Sequence, residues 1–88
     1  MSEEHVLDWD EAVRYREEHA ATLEVTVEAC IGTEGVAETN FGPQGVGRVD
    51  VLHRIWEAEN EGEGPIAVGE PIQVLGYRGE YLVVQKRR

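Results

Sequence analysis

Residues 42–58 read GPQGVGRVDVLHRIWEA, and their interpretation decides the fold. The opening GPQGVG has the spacing G-x-x-G-x-G, a dinucleotide-binding fingerprint in reverse order. No helix pattern follows it, and it lacks the Gly-Lys-Ser/Thr ending of a phosphate-binding loop. Pro43 also removes a backbone donor that a phosphate cradle would use. Residues 47–58 have the period of a sheet: GRVDVL and RIWEA read as two strands separated by a tight turn near Leu52 and His53. GPQG is therefore read as the connection into that hairpin.

Working outward, residues 71–77 (PIQVLGY) and 80–86 (EYLVVQK) flank Arg78 and Gly79 as a closing hairpin, and QKRR forms a basic tail. Between the hairpins lies ENEGEGP, a glycine-broken acidic loop. Upstream, residues 23–29 (LEVTVEA) alternate Leu23, Val25, Val27 and Ala29 against Glu24, Thr26 and Glu28, which predicts a half-buried strand. VAETNF (36–41) predicts another. At the start, residues 9–22 read as a short helix, with Asp8 as cap and Glu11 completing a capping-box pattern. Leu7 and Ala12 form a small staple. Trp9, Val13, Ala20 and Leu23 make a narrow apolar stripe beside Ala12 that Arg16 interrupts, so the helix is expected to lie on a domain rather than form its core.

One helix followed by five or six short strands favours a small barrel over a sandwich, which usually needs about seven strands and about a hundred residues. The expectation is mainly β: a five-stranded barrel of OB or SH3-like type. Residues 1–24 form an N-terminal helical segment packed on or leading into the barrel, and residues 25–88 form the barrel itself.

The chain has 88 residues and 41% apolar content, enough for one small domain with a modest core. No apolar run approaches the roughly eighteen residues of a membrane span, and no secretory leader is visible, so a soluble chain is expected. The formal net charge is −10, from 18 acidic and 8 basic residues, which repels phosphate backbones and anionic lipid. The lone Cys30 makes no internal disulfide, and no CxxC pair offers a zinc site.

Few residues invite chemistry. Glu57, Glu59, Glu61 and Glu63 alternate and would share one face of a strand, in principle a calcium site, but two glycines interrupt them and the usual Asn/Asp ligands are sparse. His5, His19 and His53 have no metal-binding spacing. Cys30 and His53 would make a nucleophile and base only if the fold joined them, and no local motif does so. Trp56 with Arg48 and Arg54 is where an OB barrel would bind single-stranded nucleic acid, but Asp50, Glu57 and Glu59 break any positive groove. A lipoyl or biotinyl carrier needs lysine at its hairpin tip, and Tyr77, Arg78 and Gly79 stand there instead. No catalytic residue, cofactor or metal is assigned.

Taken from Ala29 to Lys86, the order of features resembles the soluble C-terminal domain of the NfeD family. The matching residues are Ile31 and Gly32, then Gly35, Val36 and Ala37, then Pro43, Gln44 and Gly45. Val49 and Val51 follow, then Ile55, Trp56 and Ala58. After the polar loop come Ile66, Gly69, Ile72 and Val74, and last the strand Tyr81, Leu82, Val83 and Val84. Two features depart from the pattern. The segment after Pro-x-Gly is two residues longer, and His53 stands where the family usually has a turn glycine. The resemblance implies an OB-type barrel that serves as a non-catalytic protein-interaction module, associated with stomatin- or flotillin-like membrane scaffold proteins. The alternative is a single-stranded nucleic-acid binder. In the family, membrane spans usually precede the barrel; here the helix at 9–22 takes their place, as in a stand-alone version or a fragment. The expected location is cytoplasmic, with membrane association through a partner or a missing membrane segment.

Overall fold

The two-residue alternation of VGRVDV and RIWEAEN places Val49, Val51 and Ala58 on one face and Arg48, Ile55 and Glu57 on the other. In the computed structural model, which describes residues 4–19 and 26–87, that pattern becomes the antiparallel pair β3 (Val46–Val51) and β4 (Arg54–Asn60). Their register runs from Val46 opposite Glu59 to Val51 opposite Arg54. Leu52 and His53 form the two-residue turn between them with φ of 54° and 62°. Two consecutive positive φ angles are those of a type I′ turn, whose twist suits a hairpin and which normally recruits Asn or Gly. The hairpin thus keeps its geometry with His53 in the glycine position.

The remaining described strands are β1 (Glu4–Val6), β2 (Glu34–Ala37), β5 (Pro71–Arg78) and β6 (Tyr81–Lys86), with helix α1 (Trp9–Glu18) after β1. The lateral order is β1-β5-β2-β3-β4-β6, and β5 also pairs with β6, so β2 to β6 close on themselves. All pairings are antiparallel except β4 with β6. A five-stranded barrel whose third and fifth strands close in parallel is the OB-type barrel expected from the sequence. Cys30, Ala37, Phe41, Val49, Val51, Ala58, Ile66, Ile72, Val74, Leu82 and Val84 fill its interior.

Several local expectations are corrected. Residues 23–25 of the first predicted strand lie outside the described residues, and Glu28–Cys30 is a 3-10 turn rather than strand. The N–H groups of Ala29, Cys30 and Ile31 bond to the carbonyls three residues back, leaving none for a neighbouring strand. The strand foreseen at 36–41 starts earlier and stops at Ala37, because the Thr39 hydroxyl takes the Arg48 N–H and carries the ladder on through a side chain. Phe41 then makes a separate bridge to Ile66. Arg78 pairs with Tyr81, so the closing turn is Gly79 and Glu80. In α1, which ends at Glu18, Asp8 has the extended backbone of a cap but makes no capping hydrogen bond, so no capping box forms. Of the predicted stripe, Ala20 and Leu23 lie outside the described residues. Arg16 does not interrupt the contact; it donates from its guanidinium to the Ala29 carbonyl at 3.1 Å.

Two glycines of the barrel seat the N-terminal segment. A Cβ on Gly76 would meet the His5 carbonyl and the Val6 backbone, and one on Gly32 (φ +80°) would meet the Ala12 carbonyl. Glycine therefore lets β1 lie against β5 and α1 against the loop after the 3-10 turn. Ala12, Ile31 and Tyr77 form a second buried cluster there, flanked by Leu7, Trp9, Tyr15 and Val27.

Asn60, at the end of β4, is 2% exposed and fully bonded. Its side-chain amide donates to the Gly42 carbonyl (3.2 Å) and the Gly64 carbonyl (2.8 Å), and its oxygen accepts from Gly62 N–H (2.9 Å). Its backbone N–H donates to the Gly45 carbonyl. One side chain thus joins the GPQG turn to the acidic loop.

Asn60→Ala leaves three backbone groups without their partner and is expected to cost about 2–4 kcal/mol in urea denaturation; a loss within experimental error would show that water replaces the amide. Gly76→Ala is expected to displace β1 while the barrel stays folded. The readout is the Leu7 amide, which donates to the Leu75 carbonyl at 3.0 Å and should lose its protection from hydrogen exchange.

Candidate functional site

The GPQG turn is built from its own backbone. Pro43 precedes Gln44 at φ 57°, and the Gly45 N–H donates to the Gly42 carbonyl at 2.9 Å. This is a type II arrangement, with its one turn-closing donor already used and Pro43 offering none. It works as a chain reversal, as the sequence indicated, and provides no ring of free amides for a phosphate.

Two of the alternating glutamates are taken up by a guanidinium. Arg78 gathers Glu59 at 2.6 Å, Glu4 at 2.9 Å and, more loosely, Glu61 at 3.9 Å. The hydrogen bond that Arg78 donates to Glu4 raises its pKa, partial burial opposes the shift, and the bond to Glu59 reinforces it. Glu57 faces Tyr81, whose hydroxyl pKa is raised by that carboxylate's charge and hydrogen bond. Glu63 is exposed on the loop. Among the described residues no group of three or more His, Cys, Asp or Glu side chains is placed to hold a metal ion.

Cys30 lies fully buried in the barrel core, while His53 is exposed on the β3–β4 turn. Burial pushes the Cys30 thiol up to about 12, against the pull of the Arg16 and Arg54 charges. A thiol held protonated in an apolar interior is a packing residue rather than a nucleophile.

His5 and His19 enter an aromatic cluster that no sequence motif announces. The Tyr15 and His19 rings stack with centroids 4.0 Å apart, and His5 lies 5.4 Å from Tyr15 and 6.1 Å from Tyr77. The Tyr15 and Tyr77 hydroxyls reach opposite oxygens of Glu28 through long contacts of 3.4 and 3.5 Å. Desolvation first, then the Glu28 charge, raises the Tyr15 pKa. The cluster joins β1, α1, the 3-10 turn and β5, so it fixes the N-terminal segment to the barrel. Its sequence signal is only the four-residue spacing of Tyr15 and His19.

Trp56 lies at the barrel rim against the core. Its indole N–H donates to the Val51 carbonyl at 2.9 Å, and the Arg54 guanidinium sits 5.5 Å from its ring centre. A half-buried ring with its donor satisfied and a cation on its face is a poor stacking platform for a base. Two cations of the basic tail are also committed: Lys86 pairs with Glu70 at 2.7 Å and Arg87 with Glu34 at 3.1 Å. The Lys86 hydrogen bond, helped by the Ala67 N–H, lowers the Glu70 pKa. No positive groove emerges from these cations.

The barrel exterior is unevenly covered. Where β1 and α1 lie, Leu75 and Val83 are buried. On the outer faces of β2, β3 and β4, by contrast, Val36, Val46 and Ile55 are 45%, 59% and 55% exposed. Val36 faces Asp50, and Asp50 faces Ile55, in one lateral row; Pro71 continues that row beyond Val36. The next row sets Arg48 beside Glu57. This is the largest concentration of exposed aliphatic side chains among the described residues, and the sequence shows its members only once the register is known.

None of the described helices is long and apolar enough to cross a membrane. Three comparisons bear on what this barrel is. The family model of the NfeD-like C-terminal, partner-binding domain matches residues 27–86. An uncharacterized protein of Methanocaldococcus jannaschii, MJ0826, is 30% identical over 64 residues, which is 73% of this chain and 45% of that relative. The chain thus spans less than half the length of the curated relative it matches. Among solved structures, the C-terminal domain of stomatin operon partner protein 1510-C from Pyrococcus horikoshii is 28% identical with a TM-score of 0.64, over 74% of this chain and 98% of that domain. The closed barrel, its parallel closure and the sequence match from the 3-10 turn to the last strand agree: the chain belongs to the NfeD family, and residues 27–86 are its C-terminal, partner-binding domain.

Proposed function

We propose that this chain is a non-catalytic adaptor that binds a stomatin-like membrane scaffold protein. The observation that carries the reading is the match of residues 27–86 to a partner-binding domain, coupled to a similar solved barrel that is itself named a stomatin operon partner. The site chemistry supports binding over catalysis. The one thiol is protonated and buried, and Glu59, Glu61 and Arg78 are engaged with one another. The proposed functional unit is the barrel of residues 25–88, with residues 1–24 as an N-terminal segment packed on or leading into it. The proposed location is cytoplasmic, with membrane association through the scaffold partner or through a membrane segment outside this sequence.

Charge gives the reading its selectivity. A chain of net charge −10 is repelled by phosphate backbones and acidic lipid surfaces, which favours a protein contact over direct binding of this domain to anionic lipid. The test is co-elution of the full chain with the purified stomatin-like protein of the same organism, followed by titration calorimetry. A stable complex is the expected result, and no binding at any salt concentration overturns it. In parallel, a single-stranded oligonucleotide added at low salt is expected to leave tryptophan emission unchanged. Salt-sensitive quenching would favour nucleic-acid binding instead.

A further inference from the structure

We propose that the partner docks on the outer face of β2, β3 and β4, and that this face takes an amphipathic helix whose apolar stripe carries one lysine or arginine opposite Asp50. The inference rests on the protein-binding reading above and adds its surface and the chemistry of its occupant.

Coverage is the first argument. The N-terminal segment shields the β5 side of the barrel, where Leu75 is buried, and Val36, Val46 and Ile55 are exposed together on the opposite strands. Single exposed aliphatics are ordinary on any surface, but neighbours in register form a patch. Val36 and Ile55 flank Asp50 on adjacent strands, which puts them about 10 Å apart at ordinary strand spacing. That span matches the width of one helix, or two turns along it.

Charge is the second. Asp50 is half-buried between the two aliphatics, and no described residue makes an ion pair or side-chain hydrogen bond with it. A lysine or arginine can lay its methylene stem over Val36 and Ile55 while its head reaches that carboxylate. Arg48 is flanked by Glu57 across the ladder and by Glu38, whose N–H bonds the Arg48 carbonyl, so the face is acidic in sum. The backbone points the same way. β3 is paired on both sides, by β2 and β4, so the centre of this face offers side chains and no free strand edge. Strand addition is therefore excluded at Asp50, and a helix laid across the face is the fitting mode.

The experiment measures binding of the full chain to the purified stomatin-like protein by calorimetry. The variants are Asp50→Lys, Asp50→Asn and the double Val36→Ser/Ile55→Ser, with Glu63→Lys on the acidic loop as control and folding checked by circular dichroism. Asp50→Lys and the double variant are each expected to weaken binding by about tenfold or more, Asp50→Asn by less, and Glu63→Lys hardly at all. Wild-type binding that survives Asp50→Lys and the double variant unchanged overturns the surface and leaves the partner reading standing. Failure of the wild type to bind overturns the partner reading, and the surface is then decided by a synthetic cationic amphipathic helical peptide followed by amide chemical shifts. Shifts centred on residues 36, 50 and 55 support it. Shifts centred elsewhere, or none, overturn it.

Discussion

The barrel closes around the amide of Asn60. β4 runs beside β3 along its whole length and meets β6 only at its end, where Ala58, Glu59 and Asn60 face Leu82, Val83 and Val84 in parallel. A parallel pair cannot be joined by a tight turn, so the chain must leave β4, cross the end of the barrel and return through β5. Asn60 stands at that departure. Its side chain holds Gly42 before the β3 strand and Gly62 and Gly64 in the acidic loop, and the next residue, Glu61, donates its N–H to the Val84 carbonyl. A buried, fully satisfied amide therefore specifies where two loops meet, which an aliphatic side chain of equal volume could not do.

With closure set at one end, the N-terminal segment determines which side of the barrel is left open. β5 is the longest strand and carries a bulge at Leu75 between Val74 and Gly76. The bulge and the missing Cβ at Gly76 let β1 add to β5, and the Leu7 N–H then bonds to the Leu75 carbonyl. α1 follows and rests its Ala12 backbone against Gly32. Covering β5 in this way spares β2, β3 and β4, so the seating of a three-residue strand on one side and the exposure of Val36 and Ile55 on the other are linked consequences of the same connection.

How much of this the sequence revealed depends on how local each interaction is. The β3–β4 and β5–β6 hairpins were legible because period-two alternation and a two-residue turn are both written within a dozen residues. The family resemblance was legible for the same reason, since its motifs are the small residues of those turns and strands. Residues 26–29 also alternated, yet the described part of that stretch forms a 3-10 turn: alternation states which side chains share a face, not whether a neighbouring strand is available. β1 has three residues and no period, and exists because Gly76, some seventy positions away, leaves room for it. Asn60 looked like one polar residue in an acidic run. The outer row of Val36, Asp50 and Ile55 comes from three strands, and only the register brings it together.

The same register explains why so acidic a chain can be selective rather than merely repulsive. Most of its cations are engaged with groups of the protein itself: Arg16 with a carbonyl, Arg54 with an indole, Arg78 with Glu4 and Glu59, Lys86 with Glu70, and Arg87 with Glu34. Exposed pairs of this kind add little stability each, about 0–1 kcal/mol. Their larger effect is on the field outside, because positive charge tied to a specific carboxylate no longer offers an anion a place to bind. The surface left facing solvent is predominantly negative, with the exposed side chains of Val36, Val46 and Ile55 gathered on one face. Long-range attraction then favours any cationic partner, and short-range burial favours only one that brings apolar side chains to the right spacing. Net charge sets the class of partner, and the lateral row across β2, β3 and β4 sets its orientation.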